Sequence, residues 1–200
     1  MSNYIFLDID GVLNNKDFLL KSKREFGGKI DDRSVQILKR ICKEFDAKVV
    51  LSSGWRRNLN PDLTLKMHLV KLKEQDMKIF GPDYETNTEK LLRTLKENEI
   101  ELVGITDTET HLLDHIKWDR SGQIARYIQN NFKEEDRFII LDDDDLVTEG
   151  ARRYRCLEKC FVQTDFYDLG LDEKAYQKAK KIFKDDELWK NYYSELWLHY

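Results

Sequence analysis

Along the chain, short apolar runs alternate with longer segments in which apolar residues return every three or four positions. The run "YIFL", residues 4–7, is too brief for a helix and reads as a buried strand. After a polar loop and the turn "FGGKID", Val35, Leu38, Ile41, Cys42 and Phe45 recur at helical spacing, with Asp31 or Asp32 placed to cap that helix. "KVVL", 48–51, predicts a second buried strand that breaks at "SSG". From 62 to 75 the helical pattern has two apolar stripes, Leu63, Met67 and Val70 on one and Leu65, Leu69 and Leu72 on the other. A helix apolar on two sides is expected between two layers or against a partner. "KIFGPDYETNT" reads as a loop, and a helix carrying Leu91, Leu92 and Leu95 leads to the strand "ELVGIT", 101–106. Residues 107–120 resist placement. "SGQIARYIQNNF" predicts a helix with Ser121 as N-cap, "RFIIL" at 137–141 a fourth strand and "CFVQT" at 160–164 a fifth. A final helical stripe joins Trp189, Tyr193, Leu196, Trp197 and Tyr200. Docking onto the domain is its plain reading, with a dimer face or a base-stacking platform as alternatives.

Strands alternating with helices imply parallel βαβ units joined by right-handed crossovers, hence an α/β, Rossmann-like three-layer sandwich with a mainly parallel central sheet. In such sheets ligands bind beyond the carboxyl ends of the strands. The first strand ends on Asp8 and Asp10, the second on Ser52 and Ser53, and the fourth on Asp142 to Asp145. Gly11 lets the chain turn beside the first pair without a Cβ penalty. Carboxylates gathered in one crevice repel: at about 4 Å and an effective dielectric of about 20, each like-charged pair costs roughly 4 kcal/mol. A hard divalent cation removes that cost, and an all-oxygen ligand set suits Mg²⁺. An ionised aspartate beside such a cation could act as a nucleophile toward phosphorus, with a second carboxylate as acid and then base. Each element has a bland reading as well, "DDDD" as a solvated acidic turn and "SS" as a helix cap. A calcium-loop reading of "DIDG" fails, because Val12, Asn14 and Lys16 stand where acidic ligands would continue.

Composition adds bounds. Two hundred residues suit a single domain with a modest insertion. The net charge of −4 offers no global basic signature for nucleic acid. No apolar run reaches the about 18 residues of a membrane span. "MSNYIFLDID" lacks the basic and long apolar regions of a secretory signal, and cytoplasm is the expected location. Cys42, Cys156 and Cys160 read as buried reduced thiols rather than a metal pair.

In "FLDIDGVLN", "VVLSS" and "FIILDDDD" the chain resembles the haloacid dehalogenase (HAD) superfamily of phosphohydrolases, whose first, second and fourth motifs these match. The third motif, a basic residue before a helix, is best matched by Arg120 in "WDRSGQIARYI", with Lys117 as competitor. A narrower likeness, in "LDIDGVLN", "LSSGWR", "RSGQI", "LDDD" and the tail "FVQTDFYDLGLDEKAYQKA", is to small HAD-like domains associated with RNA-repair proteins. The resemblance implies a Mg²⁺-dependent phosphatase with Asp8 as nucleophile and metal ligand. Asp10 would then be the general acid and base and offer its backbone carbonyl to the metal. It implies Ser52 and Arg120 on the transferring phosphoryl group, Asp143 completing the metal shell, and Asp142 orienting the basic residue or a water. The Asp142/Asp143 register is open by one position.

Ser53, Arg56 and Lys117 are further candidates for binding the substrate, although Arg56 could instead pair with an acid and hold its loop. His111 and His115, with Asp114 between, have a metal-binding spacing but no third ligand in sight. Superfamily caps select substrates. Here the interval between the first two motifs is too short for a large cap, and the stretch 57–119 leaves room for a helical insertion or partial cap. Residues 172–200 read as a C-terminal helical extension. An open cleft favours a macromolecular end or a flexible phosphate ester over a small sugar, and the likeness to RNA-repair domains adds nucleic-acid ends and nucleotides as candidates for the phosphorylated substrate. The alternatives are a non-catalytic nucleic-acid or protein-binding module on the same fold, and a phosphotransferase to an acceptor other than water.

Overall fold

The computed structural model describes residues 1–22, 29–81, 84–107, 120–144 and 155–197. Five apolar runs pair into one sheet: β1 (Asn3–Leu7), β2 (Ala47–Leu51), β3 (Leu102–Ile105), β4 (Arg137–Asp142) and β5 (Phe161–Gln163). Their order is β3-β2-β1-β4-β5, and every pairing is parallel. The helices are α1 (Lys16–Lys21), α2 (Asp32–Phe45), α3 (Met67–Phe80), α4 (Asn87–Glu97), α5 (Arg120–Asn131), α6 (Glu173–Phe183) and α7 (Asp186–Trp197), with 3-10 turns at Gly54–Asn58 and Arg155–Cys160. The protein is therefore an α/β, Rossmann-like fold. The chain leaves β1 first toward β2 and β3, then crosses back to β4 and β5, so the order reverses beside β1. Such a switch point opens a crevice at the carboxyl ends of the strands.

The middles of the central strands are apolar because both faces are covered. Ile5 to Leu7, Val49 to Leu51 and Phe138 to Leu141 are all buried. On one face α2 and α6 meet through the stacked rings of Phe45 and Phe183, 4.8 Å apart. On the other, Tyr127 of α5 meets Phe6 at 5.7 Å, and Tyr192 of α7 meets Phe138 at 5.3 Å. The helix starts follow local chemistry. Asp31 caps α2 by accepting from the Arg33 N–H, and Thr86 with Glu89 forms a capping box on α4.

Three expectations change. Ser121 lies inside the first turn of α5, which already includes Arg120. The helix expected from residue 62 begins at Met67, because the Asp62 carboxylate accepts from the Thr64 N–H and hydroxyl and bends the chain. Leu59 and Leu65 then pair as an antiparallel bridge. The two stripes of α3 are not sandwiched: Met67, Val70 and Leu72 are 70 %, 38 % and 50 % exposed. The C-terminal aromatics dock, with Trp189 donating to the Ile182 carbonyl at 3.0 Å and the Tyr193 hydroxyl to the Asp136 carbonyl at 2.7 Å. Both are buried, which removes them as a stacking platform. Leu196 and Trp197 side chains, Tyr200, and most of the unplaced stretch 107–120, with His111, Asp114, His115 and Lys117, lie outside the described residues. Among the described residues no helix is long and apolar enough to cross a membrane.

Candidate active site

Register assembles the site. Leu7 is level with Leu51 on one side and with Leu141 on the other. The residues that follow, Asp8, Ser52 and Asp142, therefore emerge together at the carboxyl edge. The ladder runs one step further, with Asp8 N–H donating to the Leu141 carbonyl and Ser52 N–H to the Leu7 carbonyl, each at 2.9 Å. These bonds fix the backbone under the side chains.

Carboxylate oxygens of Asp8, Asp142 and Asp143 lie within 4.8 Å of one another. Asp8 and Asp142 are buried and Asp143 is half-buried. Arg120, at the start of α5, reaches Asp8 Oδ2 with Nη1 at 2.9 Å and also bonds Asp142. Burial opposes its charge, but the flanking Asp142 and Asp8 more than compensate and hold it above the ordinary arginine value. Burial and then the Asp8 charge push the Asp142 carboxyl up, with Arg120 opposing. Asp143, raised by burial and by Asp8 and Asp144, is pushed up to about 6. Among the described residues Arg120 is the cation that ion-pairs within this cluster, and the carboxyls of Asp142 and Asp143 stay raised beside it. Hard oxygen donors short of positive charge fit Mg²⁺. Both members of the ambiguous pair join the cluster: Asp142 pairs with Arg120, while Asp143 is the more accessible.

The Ser52 hydroxyl is fully buried and has no hydrogen-bond partner among the described residues. A buried hydroxyl without a partner is costly, so an orphan beside a crevice is suited to a ligand oxygen. Ser53, expected at the substrate, is also buried, and its hydroxyl caps the 3-10 turn by accepting from the Trp55 N–H at 3.4 Å. Of the two expectations for Arg56, its contacts fit the holding of its loop, through carbonyls rather than an acid. It is buried, and its guanidinium donates to the carbonyls of Ser52 (2.5 Å), Ser53 (2.6 Å), Thr106 (3.2 Å) and Asp107 (3.2 Å) and to Gln123 Oε1 (2.5 Å). With its donors turned inward it braces the ends of β2 and β3 against α5. Burial, then the charge of Arg120, lowers it to about 10.

Asp10 departs from the metal group. Its exposed carboxylate accepts from Asn14 Nδ2 on Oδ1 at 2.9 Å and from Trp55 Nε1 on Oδ2 at 3.0 Å. The metal donor expected of Asp10 is its backbone carbonyl, not this carboxylate. Sequence reasoning gave neither Trp55 nor Asn14 a part in the site. Asn14 does also accept from the Gly11 N–H at 3.0 Å. Thr164, unassigned from sequence, donates to the Gly11 carbonyl at 2.8 Å and ties the loop after β5 to the loop of Asp10. A groove of about 760 Å³ leads away from Asp143 past Asp144, Asp165, Asp168 and Asp172, with Phe166 and Tyr167 in its wall.

Compared with models of known families, residues 4–176 match the HAD domain in Swiss Army Knife RNA repair proteins. The chain belongs to that family. The match runs from within β1 into α6 and so takes in Asp8, Ser52, Arg120, Asp142 and Asp143. Neither the curated proteins nor the solved structures compared with it include a match.

Proposed function

We propose that this HAD domain is a Mg²⁺-dependent phosphomonoester hydrolase that works through an aspartyl-phosphate on Asp8. The observation that carries the reading is the juxtaposition of Asp8 with Arg120 and two further carboxylates at the switch point of the sheet. Asp8, Asp143, Asp142 and the backbone carbonyl of Asp10 would hold Mg²⁺, which supplies positive charge against the substrate phosphate and keeps the acids ionised. A carboxylate oxygen of Asp8 attacks phosphorus, and the bond from phosphorus to the ester oxygen breaks. Asp10 delivers its proton to the departing oxygen. In the second half Asp10 takes a proton from water as that water attacks phosphorus, releasing inorganic phosphate and restoring Asp8. Arg120 and the Ser52 hydroxyl bind phosphoryl oxygens as charge builds.

The family's association with RNA repair favours a nucleic-acid end or nucleotide as substrate. The binding-module reading loses support, since Trp189 and Tyr193 are spent on the core. Hydrolysis of p-nitrophenyl phosphate with Mg²⁺ tests the proposal. Asp8→Asn is expected to lower kcat by at least about 10³-fold, whereas full activity in that variant would sink it. A panel of 3′- and 5′-phosphorylated oligonucleotides and nucleotides then ranks the substrates by kcat/KM.

A further inference from the structure

The Asp10 carboxylate is exposed, yet both its oxygens are held. A free aspartate in water turns about two side-chain torsions, and a group that gives a proton and later takes one back must return to the same place. Asn14 and Trp55 bond different oxygens of the carboxylate, which restrains both torsions. Each donor is anchored in turn. Asn14 is buried, with its Oδ1 on the Gly11 N–H and its Nδ2 also reaching the Lys29 carbonyl at 3.3 Å. Trp55 stands in the 3-10 turn that follows Ser52, between the Ser53 cap and the buried brace of Arg56. Its indole N–H crosses from the end of β2 to the loop after β1. Indole donates and never accepts, so the bond has one polarity.

We propose that Trp55 is a positioning residue: its indole N–H, with Asn14 opposite, fixes the Asp10 carboxylate for proton delivery to the leaving oxygen. The inference rests on the phosphatase reading above. Its signature is dependence on the leaving group. An alkoxide departs poorly without a proton, while nitrophenolate departs readily, so a misplaced acid harms the first far more than the second. A fault in folding, in metal binding or at Asp8 harms both alike.

The test uses Trp55→Phe, which keeps an aromatic ring and removes the N–H, on an alkyl phosphate and on p-nitrophenyl phosphate. The loss in kcat/KM, which reports the half-reaction in which the ester oxygen departs and not the common hydrolysis of the aspartyl-phosphate, is expected to be greater on the alkyl ester than on the aryl ester by about tenfold or more, within the range general acid catalysis supplies. Equal losses in kcat/KM on the two esters overturn the proposal. The contact is read without turnover by the indole N–H resonances of the four tryptophans. The signal missing in Trp55→Phe is expected to shift in Asp10→Ala, with the others in place; a signal that stays put overturns the contact. If the wild-type protein hydrolyses neither ester while that resonance still responds to Asp10→Ala, the phosphatase reading has failed and takes the role of Trp55 with it. If the esters are hydrolysed and the resonance is indifferent, the proposal fails alone.

Discussion

Gly11 shows how one position serves two motifs. Its φ of +77° lies where only glycine is at ease, and a Cβ built there would run into the Asp143 carboxylate. The loop that turns after Asp10 therefore also sets how closely Asp143 approaches Asp8. Gly11→Ala is expected to lower the unfolding free energy by about 1–3 kcal/mol from backbone strain and to displace Asp143. Urea unfolding reads the first effect and calorimetric Mg²⁺ titration the second, as weaker binding. Gly170 is constrained from the opposite side, with φ +65° and the Val12 carbonyl 2.9 Å from where its Cβ would sit. The glycine after "DID" was readable as a turn. Its close approach to a residue just past a distant strand was not, because no local pattern encodes which side chain approaches from across a sheet.

At the scale of elements, the turn after β2 is held chiefly by Arg56. One guanidinium joins the carbonyl ends of β2 and β3 to Gln123 of α5. Arg56→Met would leave several buried carbonyls unpaired and is expected to cost about 2–4 kcal/mol of stability, read as a fall in denaturant midpoint at unchanged slope. Arg56→Lys is expected to recover little, since an ammonium cannot reproduce the planar fork. A substitution there that altered KM without touching stability would contradict the brace. Helices with a single apolar stripe, such as α2, were legible because the spacing of Val35, Leu38, Ile41 and Cys42 matches the face they bury. The start of α3 was misread because the turn chemistry of Asp62 overrode apolar periodicity, leaving Met67 and Leu72 in solvent. In "WR" after the second motif, the arginine turned inward and the tryptophan outward to Asp10, a choice that residue type alone does not make.

Across the whole molecule, parallel register levels the ends of β1, β2 and β4 and so forces Asp8, Asp142 and Asp143 together. That crowding couples stability to pH and to metal. Asp143 titrates near 6 in the fold, against an ordinary value of 3.8, and Asp142 is raised as well. A raised carboxyl favours the folded state while protonated. Its contribution is full below about 4 and is lost as pH rises through about 6. Metal-free protein is therefore expected to lose melting temperature between pH 5 and pH 7.5 through these groups. Mg²⁺ is expected to restore it at pH 7.5 and to do little at pH 5, where protons compete for the same oxygens. Thermal melts at the two pH values with Mg²⁺ or with EDTA decide it, and an Mg²⁺ effect as large at pH 5 would refute it.

The sequence by itself determined the strands, the sense of their connections and the acids at their ends. Burying apolar runs in a two-faced sheet is dictated by pattern, and the strand ends follow from it. Only the tertiary structure decided the partnerships: Arg120 on Asp8, Trp55 on Asp10, Arg56 on the carbonyls beneath Ser52, and a serine hydroxyl left without a partner among the described residues. Trp55 and Asp10 stand 45 residues apart in the chain. Hydrogen bonds and ion pairs depend on distances of a few ångströms between such residues, and those distances exist only once strands and loops have been brought into register.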